Sequence, residues 1–232
     1  LRAERRHRGG NSGSYRAAVL GFNDGLVSNF SLVMGVAGGT SDARIILLAG
    51  IAGLLAGAFS MAAGEYVSMR AQRDLYEHEI EVEKAELEAF PEEERKELEL
   101  IYRAKGLEPE AARLLADRIM SNRDIALDTM AREELGLDPE GLGSPWGASL
   151  SSFFSFGIGA IVPVIPYLLG NGNLTIMLSA LLSGTALLGA GAFLATLTSR
   201  NPIWGGVRML LIGAASAAVT FGIGRLIGVS IT

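Results

Sequence analysis

The sequence predicts an all-α membrane protein: five transmembrane helices, with a three-helix cytoplasmic insert between the second and third spans. Three observations carry this prediction. The 232 residues are 49% apolar, with a mean hydropathy of +0.33. The apolar residues gather in five long stretches, and the acidic residues gather in a single segment. Residues 71–140 hold 21 acidic and 10 basic side chains, whereas the rest of the chain holds 4 and 10. The chain therefore combines an apolar part with a chemically different, acidic part.

The composition excludes several classes of site. The absence of cysteine excludes disulfides, iron–sulfur clusters, thiolate metal sites and cysteine nucleophiles. Because His7 and His78 are the only histidines, zinc or copper sites built from several imidazoles are excluded as well. A net charge of −5 argues against a nucleic-acid partner, since binding phosphates needs a basic surface. An ATP-driven pump is not expected either, because the sequence has no Walker-type phosphate loop.

Five apolar stretches follow a basic tail over residues 1–14. Each is long enough to cross about 30 Å of hydrocarbon, which takes roughly 20 helical residues. A large soluble helical core is not expected, because five such stretches would leave no polar face to meet water. We predict the spans at Ala17–Gly38, Ile45–Met69, Gly147–Leu169, Leu174–Thr198 and Ile203–Ile231.

Basic residues set the predicted orientation and domain boundaries. Lysine and arginine favour the cytoplasmic ends of spans. If five helices alternate, one side receives the arginines of the tail together with Arg70, Arg73, Arg200 and Arg208, and the other receives only Arg44. The N-terminus and the insert are therefore expected in the cytoplasm, with Thr232 on the opposite side. The predicted domains are the cytoplasmic tail 1–14, transmembrane helices 1–2 over 15–70, an acidic metal-binding helical domain over 71–143, and transmembrane helices 3–5 over 144–232.

Glycine and proline positions predict the helices of the insert. Neither residue occurs between Glu65 and Ala89, so the second span should continue for about 20 residues, or roughly 30 Å, beyond the membrane. Proline favours the first turn of a helix, and glycine commonly follows the last. The three predicted helices are this extension to Ala89, a helix from Pro91 to about Gly106, and a helix from Pro109 to about Leu135, followed by a linker at Gly141–Ser144.

Side chains that could bind a metal recur in the insert at helical spacing. Residues three or four apart project from one face of a helix. The pairs are Glu83 with Glu86, Glu94 with Glu97, and Met130 with Glu134. Gathered carboxylates repel one another unless a cation bridges them, and such oxygen-rich clusters select hard or borderline divalent metals. The alternative is an ordinary solvated face of glutamate-rich helices. A ferritin-like di-iron centre is excluded, because it needs two Glu-x-x-His pairs and the only such spacing, Glu4–His7, lies in the tail.

Polar residues within the spans mark candidate sites inside the membrane. An aspartate at the centre of a spanning helix costs about 2.5–3.5 kcal/mol, so Asp24 is expected to line a cavity or bind a ligand. Met61 would face Asp24 if the first two helices run antiparallel, and Glu65 lies one turn further on, where its carboxylate could reach the interface. Pro163 and Pro166 should kink the third helix and free backbone carbonyls there.

Small residues in the spans predict close helix contacts and a means of dimerisation. Gly53 and Gly57 have the small-xxx-small spacing, and further glycines lie at Gly157, Gly159, Gly189 and Gly191.

Two sequence runs carry a resemblance to a known family. They are Gly21-Phe-Asn-Asp-Gly-Leu-Val-Ser-Asn-Phe-Ser-Leu-Val-Met-Gly-Val36 and Ser60-Met-Ala-Ala-Gly-Glu-Tyr-Val-Ser68. Together with the five spans and the position of the acidic insert, they resemble the vacuolar iron transporter family, which also occurs in bacteria. The resemblance covers nearly the whole chain beyond Ser14.

The resemblance implies a homodimer with five membrane helices per subunit and an ion path along the dimer interface. It implies export of Fe²⁺, with Mn²⁺ or related divalent ions such as Co²⁺ and Zn²⁺, from the cytosol in exchange for protons. By motif match, Asp24 and Met61 correspond to the pore ligands. The cytosolic metal ligands correspond to Glu83, Glu86, Glu94, Glu97, Met130 and Glu134. Many members have a second methionine next to the first, where this chain has Ala131.

These observations favour a proton-coupled exporter of divalent iron, with manganese as a further substrate, in a bacterial plasma membrane or a vacuolar membrane. Glutamates of the insert would capture the ion, and Asp24 would couple metal to protons, because metal binding favours the carboxylate and protonation favours release. The alternative is a membrane-anchored divalent-metal sensor or storage module without transport. A membrane enzyme such as a ferroxidase is disfavoured by the scarcity of histidine, and no prosthetic group is expected.

Overall fold

A computed structural model describes residues 12–138 and 143–231 of the chain, with side chains for 13–138 and 143–228. These residues form nine α-helices and no strand, in agreement with the all-α prediction. The helices are α1 Ser12–Gly39, α2 Ala43–Ala89, α3 Pro91–Ala104, α4 Pro109–Met120, α5 Arg123–Glu133, α6 Pro145–Ile161, α7 Ile165–Leu169, α8 Asn173–Leu197 and α9 Pro202–Ile231. Most of the predicted tail 1–14, half of the predicted linker Gly141–Ser144, and Thr232 lie outside the described residues.

The chain divides into two compact units. The membrane unit comprises Gly13–Tyr66 and Pro145–Thr232, and the insert unit comprises Val67–Ser144. Four helices have the length and apolar composition to cross a membrane, namely Gly13–Gly39, Ala43–Ala89, Asn173–Leu197 and Pro202–Gly228. They correspond to the first, second, fourth and fifth predicted spans.

The third predicted span is broken into two helices. The 17 residues of α6 extend about 26 Å at 1.5 Å per residue, which is less than the hydrocarbon thickness, and α7 adds only five more. The five-span count therefore stays a prediction. The break surrounds Pro163, as predicted from proline at this position. The carbonyl oxygen of Pro163, which lies in the break, accepts a hydrogen bond of 2.7 Å from Ser179 Oγ on α8. Neighbouring helices often satisfy backbone groups that proline releases inside a membrane.

Glycines let α1 pack closely against its neighbours in the membrane unit. A Cβ atom on Gly21 would stand 2.8 Å from the carbonyl oxygen of Ser152 on α6, and one on Gly39 would stand 3.0 Å from that of Gly224 on α9. Around these crossings a buried apolar core forms from side chains of α1, α2, α8 and the α6–α7 region, among them Leu26, Val33, Ile46, Val164 and Leu187. Gly157 and Gly189 make no close contact with another helix among the described residues, because no atom of another helix lies within 4 Å of a Cβ placed there.

The insert unit holds one helix more than predicted. The breaks after Ala89 and at Gly106, whose φ is +93°, are confirmed. The prediction of a single helix from Pro109 to about Leu135 is wrong, because the chain breaks at Asn122. This residue adopts an extended conformation, and its side-chain oxygen accepts hydrogen bonds from the N–H groups of Asp124 and Ile125. A polar side chain that caps a new helix can thus end the previous one.

Candidate functional site

A cavity of about 400 Å³ lies in the membrane unit between α1, α2 and α6. Its wall carries carboxylate, hydroxyl, amide and thioether groups, from Asp24, Ser28, Asn29, Ser60 and Met61. The rest of the wall consists of Leu32, Gly53, Gly57 and Phe156. Because α1 and α2 are joined by only three residues, they lie side by side, and Asp24 and Met61 come to the same cavity, as the sequence predicts.

Asp24 presents an unpaired carboxylate to this cavity. The side chain is exposed, and no lysine or arginine among residues 12–138 and 143–231 forms an ion pair with it. Ser28 lies one turn further along α1 and is also exposed. Three lining residues are not among the site residues predicted from the sequence, namely Ser28, Asn29 and Ser60. A usable signal was present, since Ser28 is four residues from Asp24 and Ser60 directly precedes Met61.

Glu65 lies apart from the cavity-lining residues. Its carboxylate is 3.6 Å from the guanidinium of Arg16, and its side chain is 12% exposed, whereas that of Arg16 is 71% exposed. One carboxylate oxygen of Glu65 is buried without a hydrogen-bond partner among the described atoms. The structure therefore places Glu65 in a loose ion pair between α1 and α2 instead of in the cavity with Met61.

A second group of acidic side chains meets in the insert unit. Carboxylate oxygens of Glu83 on α2, Glu94 on α3 and Glu134 at the end of α5 all lie within 4.8 Å of one another. Glu83 and Glu94 are buried, with 2% and 7% of their surface exposed, and Glu134 is exposed. Since Asn122 caps the start of α5, it helps to fix the helix that carries Glu134.

Burial and mutual repulsion favour the protonated form of these glutamates. Burial raises the pKa of Glu83 to about 8, and the nearby charges of Glu134 and Glu94 add to the effect. Burial also raises the pKa of Glu94 and of Glu134, and here too nearby carboxylates contribute. Among these carboxylates are Glu86 and Glu97, which are exposed. A divalent cation would supply the positive charge that the cluster lacks.

Met130 belongs to the core of the insert unit. It is completely buried and packs with Leu98 and Ala116, and the neighbouring Ala131 is completely buried as well. Met130 lies one turn before Glu134, as predicted from the sequence. Its role as a metal ligand stays a prediction.

The two sites have different chemistry. The cluster of Glu83, Glu94 and Glu134 offers only oxygen ligands, which suit hard and borderline divalent ions. The cavity in the membrane unit adds the softer sulfur of Met61 to one carboxylate, one amide and two hydroxyl groups. Such a mixed set suits first-row transition metals better than Ca²⁺ or Mg²⁺.

Comparison with known proteins identifies the family of this chain. Residues 15–225 match the model of the VIT family. The vacuolar iron transporter of Acanthamoeba castellanii is 36% identical over 94% of this chain and 80% of its own length. Vacuolar iron transporter 1 of Oryza sativa subsp. japonica is 31% identical over 91% of this chain and 84% of its own length, and the Centaurea cyanus vacuolar iron transporter is 30% identical over 90% and 86%. The chain therefore belongs to the VIT family, as its sequence motifs predict.

Proposed function

We propose that this chain is a proton-coupled antiporter that exports Fe²⁺, with Mn²⁺ as a second substrate, from the cytosol. Members of its family are transporters and not enzymes. The observation that carries the proposal is the unpaired carboxylate of Asp24, which shares a cavity with the thioether of Met61 inside the membrane unit. A charged side chain at this depth is costly unless it serves an ion or a proton. We place the protein in a vacuolar or other internal membrane, with a bacterial plasma membrane as the alternative.

The glutamate cluster supports a first step of ion capture on the cytosolic side. Glu83, Glu94 and Glu134 would provide the ligands, and Glu86 and Glu97 at the rim would attract the hydrated cation. Because burial raises the pKa of Glu83 to about 8, binding of a divalent ion at the cluster should release its proton. The predicted ligand Met130, one turn before Glu134, would add a thioether sulfur to this set.

Transfer in the membrane would then use Asp24 as the coupling group. The carboxylate binds the metal in its ionised form, and a proton arriving from the acidic side displaces the ion. Met61 would favour Fe²⁺ over harder ions such as Mg²⁺, because a thioether is a soft ligand. Glu65, paired with Arg16 near the start of α1, would stand between the cytosol and the cavity and exchange Arg16 for the passing ion.

An exposed polar face on α1 supports the homodimer. Arg16, Leu20, Asp24, Ser28 and Leu32 follow one another at intervals of four residues, and all are exposed in the single chain. Lipid contact at Asp24 and Ser28 would be unfavourable, whereas a second copy would cover them and enclose the ion path. In a chain without native cysteine, Ser28→Cys should form a disulfide-linked dimer in membranes, and Leu178→Cys on α8 should not. Equal cross-linking of both would contradict an interface at this face.

We further propose the predicted topology, with the insert in the cytoplasm, five spans per subunit and domains over 1–14, 15–70, 71–143 and 144–232. The third span would consist of α6 and α7 together. Single cysteines at Glu88 and at Asn171 should react with a membrane-impermeant maleimide from opposite sides of a sealed vesicle. Reaction of both from the same side would overturn the odd number of spans between them.

The transport experiment uses the full chain in proteoliposomes, with Fe²⁺ supplied anaerobically and proton movement followed by an enclosed dye. We expect Fe²⁺ uptake with opposite proton flux in the wild type, and loss of both in Asp24→Ala. Asp42→Ser is the matched control, because it removes another carboxylate of the membrane unit. Serine can still cap α2 as Asp42 does through the N–H group of Arg44. Metal binding without any uptake would instead support the sensor or storage module.

A further inference from the structure

Asn29 is the most deeply buried polar side chain in the wall of the membrane cavity, with 2% of its surface exposed. Its amide nitrogen donates hydrogen bonds to the carbonyl oxygens of Gly50 on α2, at 3.1 Å, and of Ala160 on α6, at 2.6 Å. Only the NH₂ end of the amide can donate, so these two carbonyls fix which way the group points. The side chain of Asn29 thus ties three helices together through its nitrogen.

The oxygen of the same amide is left without a partner. Oδ1 of Asn29 is buried and accepts no hydrogen bond among the described atoms. This oxygen faces Gly53 on α2, and a Cβ atom placed on Gly53 would stand 2.7 Å from it. The terminal Cδ2 of Leu32 lies close to the same Cβ position. An unsatisfied buried acceptor costs about 1–3 kcal/mol, so such a group in a native structure needs an explanation.

We propose that Asn29 Oδ1 is a further oxygen ligand for the divalent cation in this cavity. The proposal rests on the proposed function. Asn29 lies five residues beyond Asp24, or about 7.5 Å further along the axis of α1, and both residues line the cavity with Met61. An ion leaving Asp24 would find there a neutral oxygen, already oriented by two hydrogen bonds from the same amide. Leu32, 39% exposed, would have to turn its terminal carbons aside to admit the ion.

Gly53 has a definite part in this arrangement. The absence of a side chain at Gly53 keeps the space beside Oδ1 free of carbon atoms other than the movable end of Leu32. Gly53→Ala keeps the amide of Asn29 and its donor groups, but the new methyl group would crowd Oδ1 and the end of Leu32, so a neighbouring group must shift. The variant therefore tests access to Oδ1 without deleting the amide that holds the helices together.

The test measures Mn²⁺ and Zn²⁺ uptake in proteoliposomes for the wild type, Asn29→Ala, Gly53→Ala and the control Ser179→Ala. The control loses a buried bond between helices, from Ser179 Oγ to the carbonyl oxygen of Pro163, in a residue that does not line the cavity. We expect KM for Mn²⁺ to rise about tenfold or more in both site variants, as it does for losses around metal sites in general. Preference should shift toward Zn²⁺, because Mn²⁺ binding depends more strongly on oxygen ligands. Ser179→Ala should keep the wild-type KM and preference even if its melting temperature falls.

A direct measurement of Mn²⁺ binding tests the proposal independently of uptake. Electron paramagnetic resonance of Mn²⁺ in detergent, in a Glu83→Gln, Glu94→Gln background, reports on the membrane cavity without the cluster in the insert unit. Weaker Mn²⁺ binding in Gly53→Ala supports the proposal even if Asn29→Ala does not fold. Folded site variants with wild-type KM, preference and Mn²⁺ affinity would overturn it while leaving the transport function intact. A wild type that binds Mn²⁺ here but carries no ion would refute transport alone.

Discussion

The pH dependence of the insert unit, measured with the variant Glu83→Gln, tests the buried glutamate cluster most directly. Burial raises the pKa of Glu83 from 4.5 to about 8, so the folded, metal-free protein keeps this proton where the unfolded chain has already lost it. Between these two values the folded state binds more protons than the unfolded state, and its stability therefore falls as the pH rises. Glutamine has nearly the same size and does not ionise, so the variant should lose most of this dependence.

The magnitude follows from the displacement of the pKa. The rise of the Glu83 pKa from 4.5 to about 8 corresponds to a loss of about 5 kcal/mol in the free energy of unfolding, at about 1.4 kcal/mol per pKa unit. This loss is complete only above pH 8. Solvent screening does not reduce this value much, because only 2% of the Glu83 surface is exposed. At pH about 6.5 roughly 3 kcal/mol of the loss should already be present.

Hydrogen exchange of the backbone amides over residues 79–89, in detergent with a chelator, reports the local free energy of opening. After correction for the intrinsic exchange rate, protection in the wild type should fall steeply from pH 5 to pH 9. Mn²⁺ should restore it at high pH by binding the ionised cluster. Glu81→Gln is the matched control, because it removes an exposed carboxyl from the same helix. The reasoning fails if Glu83→Gln and the wild type lose protection equally with rising pH.

Three further predictions concern local structure. Gly21→Ala should lower the melting temperature, since its Cβ would press on a backbone carbonyl 2.8 Å away, whereas Gly157→Ala should leave it unchanged, because nothing lies within 4 Å. Asn122→Ala should destabilise the insert unit by about 1 kcal/mol in hydrogen exchange, and Asn122→Asp should not, because aspartate also caps a helix. Ser179→Ala should cost about 1–3 kcal/mol in denaturant unfolding by leaving a buried carbonyl oxygen without its donor, and a stability equal to the wild type would show that water replaces it.

Much of the fold can be predicted from hydropathy and from the positions of proline and glycine in the sequence. Pro91 and Gly106 mark helix ends that the structure confirms, because proline and glycine act locally, whatever the surroundings. Asn122 was missed for the opposite reason. Asparagine is tolerated inside a helix and favoured at its start, so its presence alone leaves both positions open.

The candidate site could likewise be predicted only in part from the sequence. Spacing placed Glu83 with Glu86 and Glu94 with Glu97 on common helix faces, but it could not say which member of each pair is buried. The structure buries Glu83 and Glu94 and leaves the other two exposed, because residues three apart still differ by about 60° around the helix. Asn29 could not be recognised from spacing at all, since its significance depends on two carbonyl groups from other helices, one of them 131 residues away.

The proton on Glu83 has an electrical consequence for the surface around the glutamate cluster. At neutral pH Glu83 is largely uncharged, so an arriving divalent ion must displace a proton to gain that ligand. Each proton expelled cancels one of the two positive charges brought in. Exchange of a divalent ion for the proton of Glu83 would change the local charge by about one unit instead of two. The surface would thus keep part of its attraction for the next cation.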